Sequence, residues 1–179
     1  MTSSASAAPA LIERWVRPIA DWPQPGVTFR DVTPLLAQPD AFDAVIEAMA
    51  DQVKALGPVD ALLGVEARGF ILAAPLALRL GIGFVPVRKA GKLPAECVSA
   101  EYALEYGTAT IEMHADALQA GQRVVVVDDV LATGGTLEAA ASLVDAVGAE
   151  VVAHLVMIEL AALGGRARLA HPVSTVQTY

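Results

Sequence analysis

The stretch VVVVDDVLATGGTL, Val124 to Leu137, constrains the fold more than any other part of the chain. Four consecutive valines without polar alternation read as a strand covered on both faces, as in parallel sheets. Two adjacent carboxylates, Asp128 and Asp129, end that apolar run, and a Thr/Gly turn follows them. In open α/β sheets ligands bind beyond the carboxyl ends of the strands, so both acids belong at such an edge.

Beyond the turn, Leu137, Ala140, Ala141, Val144 and Val147 recur at helical spacing, so Gly134 to Thr136 opens a helix. The first turn of a helix leaves N–H groups unpaired at the positive end of its dipole, and glycines let a ligand approach them closely. With hydroxyls at Thr133 and Thr136, this turn suits a phosphate. The carboxylates cannot bind phosphate directly. They suit sugar hydroxyls or a cation carried by the ligand, and a ribose phosphate satisfies both halves. The pattern lacks the lysine of GxxxxGK[ST] and is not GxGxxG.

A formal net charge of −8 on 179 residues argues against nucleic acid as a partner, because binding there rests on basic surface. The few cations are therefore informative: Arg88, Lys89 and Lys92 cluster, and Arg68 precedes them in EARGF. Such a group could receive a small polyanion. No apolar run reaches the roughly 20 residues of a membrane span; Arg79 interrupts one candidate, and His154 and Glu159 another. The single cysteine, Cys97, forms no internal disulfide and fits a reducing cytoplasm. His114, His154 and His171 are too scattered for a metal pattern.

Residues 1–10 read as a flexible tail and 11–179 as one domain. Helices are expected over Leu11–Ile19, Phe42–Leu56, Phe70–Leu80 and, briefly, Gly164–Leu169; strands over Ala61–Val65, Phe84–Val87, Thr108–Met113 and Val151–Ile158. The order is that of a Rossmann-like α/β unit, a parallel sheet flanked by helices. Residues 89–109 read as a long loop placed to cover the sheet edge as a lid.

VVVVDDVLATGGT resembles the phosphoribosyl diphosphate (PRPP) signature of the type I phosphoribosyltransferases. DWPQPGVTFRD, GVEARGF, VRKAGKLP, EYALEYG and the late IEL are similar to the adenine-using branch of that family in order and spacing, over about Ile19 to Thr175. The resemblance implies the type I fold and a homodimer. It implies transfer of phosphoribosyl from PRPP to adenine, giving AMP and diphosphate, with Mg²⁺ brought mainly by PRPP and no assured protein ligand for it.

By the same resemblance Ala132, Thr133, Gly134, Gly135 and Thr136 cradle the 5′-phosphate, and Asp128 and Asp129 hold the ribose. Ala67, Arg68, Arg88, Lys89 and Lys92 receive diphosphate. Thr28, Phe29, Arg30 and Leu160 surround adenine, with Thr28 where relatives often carry an aliphatic residue. Glu105 handles a proton at the base or stabilises the ribosyl cation, and Tyr102 and Tyr106 close the lid. The family often has a cis peptide bond at the position of Ala67–Arg68. A nucleotide sensor that keeps the PRPP fold without turnover stands as the alternative, against which LEYG, RKAGKLP and the FRD loop weigh.

Overall fold

The structure, a computed structural model, describes residues 4–22, 24–103 and 108–179. In chain order it contains α1 (Ser4–Trp15), β1 (Arg17–Ala20), β2 (Thr28–Asp31), α2 (Thr33–Leu36), α3 (Pro39–Ala55), β3 (Ala61–Val65), α4 (Arg68–Leu80) and β4 (Gly83–Lys89). Then follow β5 (Cys97–Ala103), β6 (Thr108–His114), β7 (Arg123–Leu131), α5 (Gly135–Ala146), β8 (Glu150–Glu159) and β9 (Val173–Thr178).

The main sheet has the order β5-β6-β4-β3-β7-β8-β9. Strands β4, β3, β7, β8 and β9 run parallel, while β6 and β5 add an antiparallel ribbon at one edge. Strands β1 and β2 form a separate antiparallel pair. This is the α/β architecture expected, with the parallel sheet extended by that ribbon.

The valine run explains itself in the packing. Val125 and Val127 join a core cluster with α1, α3 and α4, while Val124 and Val126 join the opposite cluster with α5. Each strand side chain alternates faces, and because both faces are covered every position is apolar. In β3, Leu62 packs toward the first cluster and Ala61, Leu63 and Val65 toward the second. Helix α4 stops at Gly81, whose φ of 69° is left-handed, and Ile82 N–H closes the cap on Ala77 O at 3.1 Å.

Four sequence expectations need correction. The segment read as an N-terminal tail is helical from Ser4, with Ala8 and Ile12 buried, and the chain after Trp15 is strand β1 where helix was expected to Ile19. Ala5 and Ala8 carry the first half of the buried face of α1 before Leu11, Ile12 and Trp15 take it over, so its N-terminal half shows no large apolar residue. The expected loop 89–109 contains β5, paired in full register with β6 from Cys97↔His114 to Ala103↔Thr108. Val98, Ala100 and Tyr102 face the core at period two, but with Ala100 and Ser99 in the series the hydropathy contrast is weak. The helix expected over Gly164–Leu169 is a single 3₁₀ turn, Gly165–Arg168, which Gly164 at φ 66° separates from another 3₁₀ turn, Ala161–Leu163. The chain then adds β9 on the sheet edge.

His154, on β8, is fully buried, and among the described residues neither ring nitrogen has a hydrogen-bond partner. Burial, with His171 nearby, pulls its pKa down from 6.5 to about 4. The unfolded chain therefore binds a proton through pH 6.5 that the fold accepts only near pH 4. Stability attributable to this residue is complete above that window and falls through it by about 3 kcal/mol. Urea midpoints measured from pH 7 to 4 should decline less steeply for His154→Leu than for the parent; parallel slopes would refute the assignment.

Candidate active site

The carboxyl ends of β3, β4, β7 and β8 meet at one edge of the sheet. Asp128 and Asp129 lie in β7 itself, two residues before its end, and the turn Ala132–Gly134 leads into α5. Gly134 has φ 85°, and a Cβ placed there would stand 2.7 Å from Gly165 O. A side chain is excluded both by backbone conformation and by room. Glu138 N–H already turns back to Gly134 O at 2.9 Å, so the helix is under way directly after the turn.

Asp128 Oδ1 accepts the Asp129 N–H at 2.9 Å, and Asp129 Oδ2 lies 2.7 Å from Arg68 Nε. Burial raises the Asp128 pKa well above the usual carboxylate range, and the neighbouring Asp129 charge adds to this. Burial also raises Asp129, against the opposing pull of Arg68. A pair held this way favours hydrogen-bond donors or positive charge in front of it. Gly69 lets the start of α4 approach: a Cβ there would lie 2.8 Å from Val127 O and 3.1 Å from Asp128 Oδ1.

A cavity of about 400 Å³ opens in front of the acids. Thr28, Phe29 and Arg30 of β2 line one side, Ala67 and Arg68 another, Tyr102 of β5 a third, and Leu160 stands beyond β8. It shares Asp128, Ala132 and Thr136 with a smaller cavity of about 70 Å³ over the turn, which Thr133, Gly134 and Gly135 complete. Phe29 is fixed from two sides: Trp22 meets it edge-on at 4.5 Å between ring centroids, and the Arg68 guanidinium lies 5.3 Å from its centre. Such contacts give aromatic walls a defined orientation. Leu160 N–H bonds to Leu131 O at 2.9 Å, tying the ends of β7 and β8 together.

The structure thus brings together the sequence candidates Thr28, Phe29, Arg30, Ala67, Arg68, Tyr102, Asp128, Asp129, Ala132 to Thr136 and Leu160. Arg88, Lys89 and Lys92 line neither cavity. They stand at the end of β4, where Lys89 N–H donates to Glu66 Oε2 at 3.0 Å, Arg88 Nε lies 3.4 Å from the same oxygen, and Arg88 Nη1 donates to Lys92 O at 3.1 Å. Glu66, which does line the larger cavity, is therefore held below its usual pKa, first by the Lys89 N–H and also by Arg88. Glu105 and Tyr106 lie outside the described residues. The cis peptide bond falls at Glu66–Ala67 and not at Ala67–Arg68.

Sequence reasoning missed Tyr179. Its ring packs 3.9 Å from the Arg30 guanidinium, and its backbone N–H donates to Glu159 O at 2.8 Å. Nothing in the sequence around this tyrosine signals that β9 returns it to Arg30. Among the described residues no group of three or more His, Cys, Asp or Glu side chains could hold a metal ion. Among them, too, no helix is long and apolar enough to cross a membrane.

An acid pair on a buried parallel strand, a glycine turn opening the next helix, and a cavity with aromatic and aliphatic walls beside both form an arrangement of the phosphoribosyltransferase class. The phosphoribosyl transferase domain family matches residues 31–177. An adenine phosphoribosyltransferase of Thermobifida fusca is 58% identical over 161 residues, covering 89% of this chain and 90% of that protein. The crystal structure of adenine phosphoribosyltransferase from Thermoanaerobacter pseudethanolicus superposes with a TM-score of 0.88 at 48% identity, covering 94% of this chain and 98% of its own. The Saccharomyces cerevisiae adenine phosphoribosyltransferase, crystallised with an imino-altritol bisphosphate and adenine, gives 0.89 at 38% identity, covering 98% and 99%. The chain belongs to the phosphoribosyltransferases, in their adenine phosphoribosyltransferase branch.

Proposed function

We propose that this protein transfers the 5-phosphoribosyl group of PRPP to adenine, releasing AMP and diphosphate in a salvage reaction. The observation that carries the reading is the continuity of the two cavities through Asp128, Ala132 and Thr136. A phosphate on the turn, a ribose at the acids and a base between Phe29 and Leu160 then fit one path. The yeast relative's structure holds adenine, which supports the choice of base.

Backbone N–H groups of Ala132 to Thr136 and the Thr133 and Thr136 hydroxyls receive the 5′-phosphate. Asp128 and Asp129 accept hydrogen bonds from the ribose hydroxyls, fixing C1′. As the bond from C1′ to diphosphate breaks, positive charge grows on the ribose ring and negative charge on the leaving group. Ala67 N–H and Arg68 line the cavity where that charge departs, and Arg68 exchanges its bridge to Asp129 for diphosphate. Arg88, Lys89 and Lys92 line neither cavity in this state and are assigned to diphosphate by the family resemblance alone. Phe29, Arg30 and the main chain at Thr28 orient adenine with Leu160, aiming N9 at C1′.

Carboxylate oxygens suit Mg²⁺, which is commonly held by one or two carboxylates plus substrate phosphates, so the donors present fit the ion arriving on PRPP. Bound there, it supplies charge neutralisation for diphosphate. Glu105 handles the adenine proton or stabilises ribosyl charge, and Tyr102 and Tyr106 close over the site. AMP formation from adenine, PRPP and Mg²⁺ tests the reading, and Glu105→Ala should lose about 10²- to 10⁴-fold in kcat. PRPP binding without product from adenine, hypoxanthine or guanine would favour a nucleotide sensor instead.

A homodimer is supported by the apolar outer face of α4, where Ile71 and Leu78 are exposed, Leu78 by 85%. Sedimentation at the mass of one chain would refute it. A cytoplasmic location is supported by the unpaired Cys97, and recovery of the protein outside the soluble fraction of cells would refute that.

A further inference from the structure

We infer that Arg168 is a side-chain cation of the 5′-phosphate site, delivered there by the 3₁₀ turn Gly165–Arg168. The inference rests on the reading of Ala132 to Thr136 as that site. The turn offers N–H groups and two hydroxyls but no positive side chain of its own. Arg68, which lines the neighbouring cavity, is engaged with Asp129.

Two glycines bring the segment into place. A Cβ on Gly165 would stand 2.2 Å from Ala132 O and 2.9 Å from Leu131 Cδ1, and one on Gly134 would stand 2.7 Å from Gly165 O. The two backbones are in direct contact, which no other residue type at either position allows. Arg166 is turned away and sets the register: its Nε donates to buried Glu159 at 2.9 Å and its Nη1 to Val173 O at 2.7 Å.

Arg168 lines a cavity along α5 with Glu138 and His154, and its closest approach to the phosphate turn is at Gly135. Its Nε pairs with Glu138, one turn into α5. Its Nη1 reaches back to within 3.5 Å of the point where a Cβ on Gly135 would stand. Gly135 is the first residue of that helix, where N–H groups remain free for an anion. Among the described residues Nη1 has no hydrogen-bond partner, and the side chain keeps 42% of its surface open. A guanidinium is always charged and matches phosphate oxygens in a planar fork.

The 5′-phosphate does not react, so this contact should be equal in ground and transition states and should appear in binding more than in turnover. Calorimetry with ribose 5-phosphate, diphosphate and adenine, each titrated into parent, Arg168→Ala and Arg168→Lys, decides the matter. For Arg168→Ala the expected result is about tenfold weaker binding of ribose 5-phosphate, with diphosphate and adenine unchanged. The KM for PRPP should rise by a similar factor and kcat should stay within about twofold, while Arg168→Lys recovers part of the loss. Unchanged ribose 5-phosphate affinity in Arg168→Ala overturns the inference. So does equal weakening of all three ligands, which marks general damage to the fold. A parent protein that fails to bind ribose 5-phosphate at all overturns the phosphoribosyl reading itself, a distinct outcome.

Discussion

Asp128→Asn is expected to make the protein more stable at neutral pH and a much poorer catalyst. The Asp128 carboxyl is pushed well above its ordinary pKa of 3.8 by burial and by the Asp129 charge. Near pH 7 the unfolded chain carries this group ionised in water, whereas the fold resists ionising it, and that difference costs stability. Asparagine removes the cost and keeps an oxygen to accept the Asp129 N–H. The gain should be present at pH 7 and should vanish as the pH falls through the unfolded value, where both side chains are neutral. In catalysis a charge-assisted hydrogen bond to a ribose hydroxyl becomes an ordinary one. A loss of about 10²-fold in kcat/KM for PRPP follows if about 2–3 kcal/mol of transition-state binding goes. Asp129→Asn should lose comparable activity without the stability gain, since Arg68 then loses its partner. Thermal midpoints and PRPP kinetics on both variants test this; full activity in either would remove the acids from ribose recognition.

The second large effect belongs to the turn. Gly134→Val forces a β-branched residue to φ 85° and drives its Cβ toward Gly165 O, a backbone atom that cannot swing aside. A stability loss of about 2–3 kcal/mol is expected from strain and contact together. Relief by rotation of the turn would misdirect the N–H groups proposed to receive phosphate. Ribose 5-phosphate affinity should therefore fall by about 10²-fold, while adenine binding, proposed to rest on Phe29 and Leu160, changes little. A folded Gly134→Val protein that binds ribose 5-phosphate like its parent would show that the turn is not the phosphate site.

The valine strand, its acids and the turn were legible in the sequence because a strand buried on both faces has no polar alternation to blur it. Helix α3 and strand β3 were equally plain, through an apolar stripe ended by Gly57-Pro58 and a short run of five buried residues. Strand β5 was not, since Ser99 and Ala100 give almost no hydropathy contrast at an edge of the sheet. Strand β9 hides for the same reason, with Ser174, Thr175 and Gln177 in a half-buried edge. The basic cluster was visible as charge, but its engagement with Glu66 depends on strand order, which composition does not encode. Arg168 comes near Gly135 through close backbone contact, and Tyr179 meets Arg30 through the return of β9, both tertiary facts.

The most direct test of a single path for phosphate, sugar and base is a crystal structure of this protein with AMP. The phosphate should lie on the N–H groups of Ala132 to Thr136, both ribose hydroxyls within hydrogen-bond distance of Asp128 and Asp129, and the adenine ring between Phe29 and Leu160. AMP bound with its phosphate away from that turn, or its base outside the Phe29 and Leu160 walls, would contradict the account.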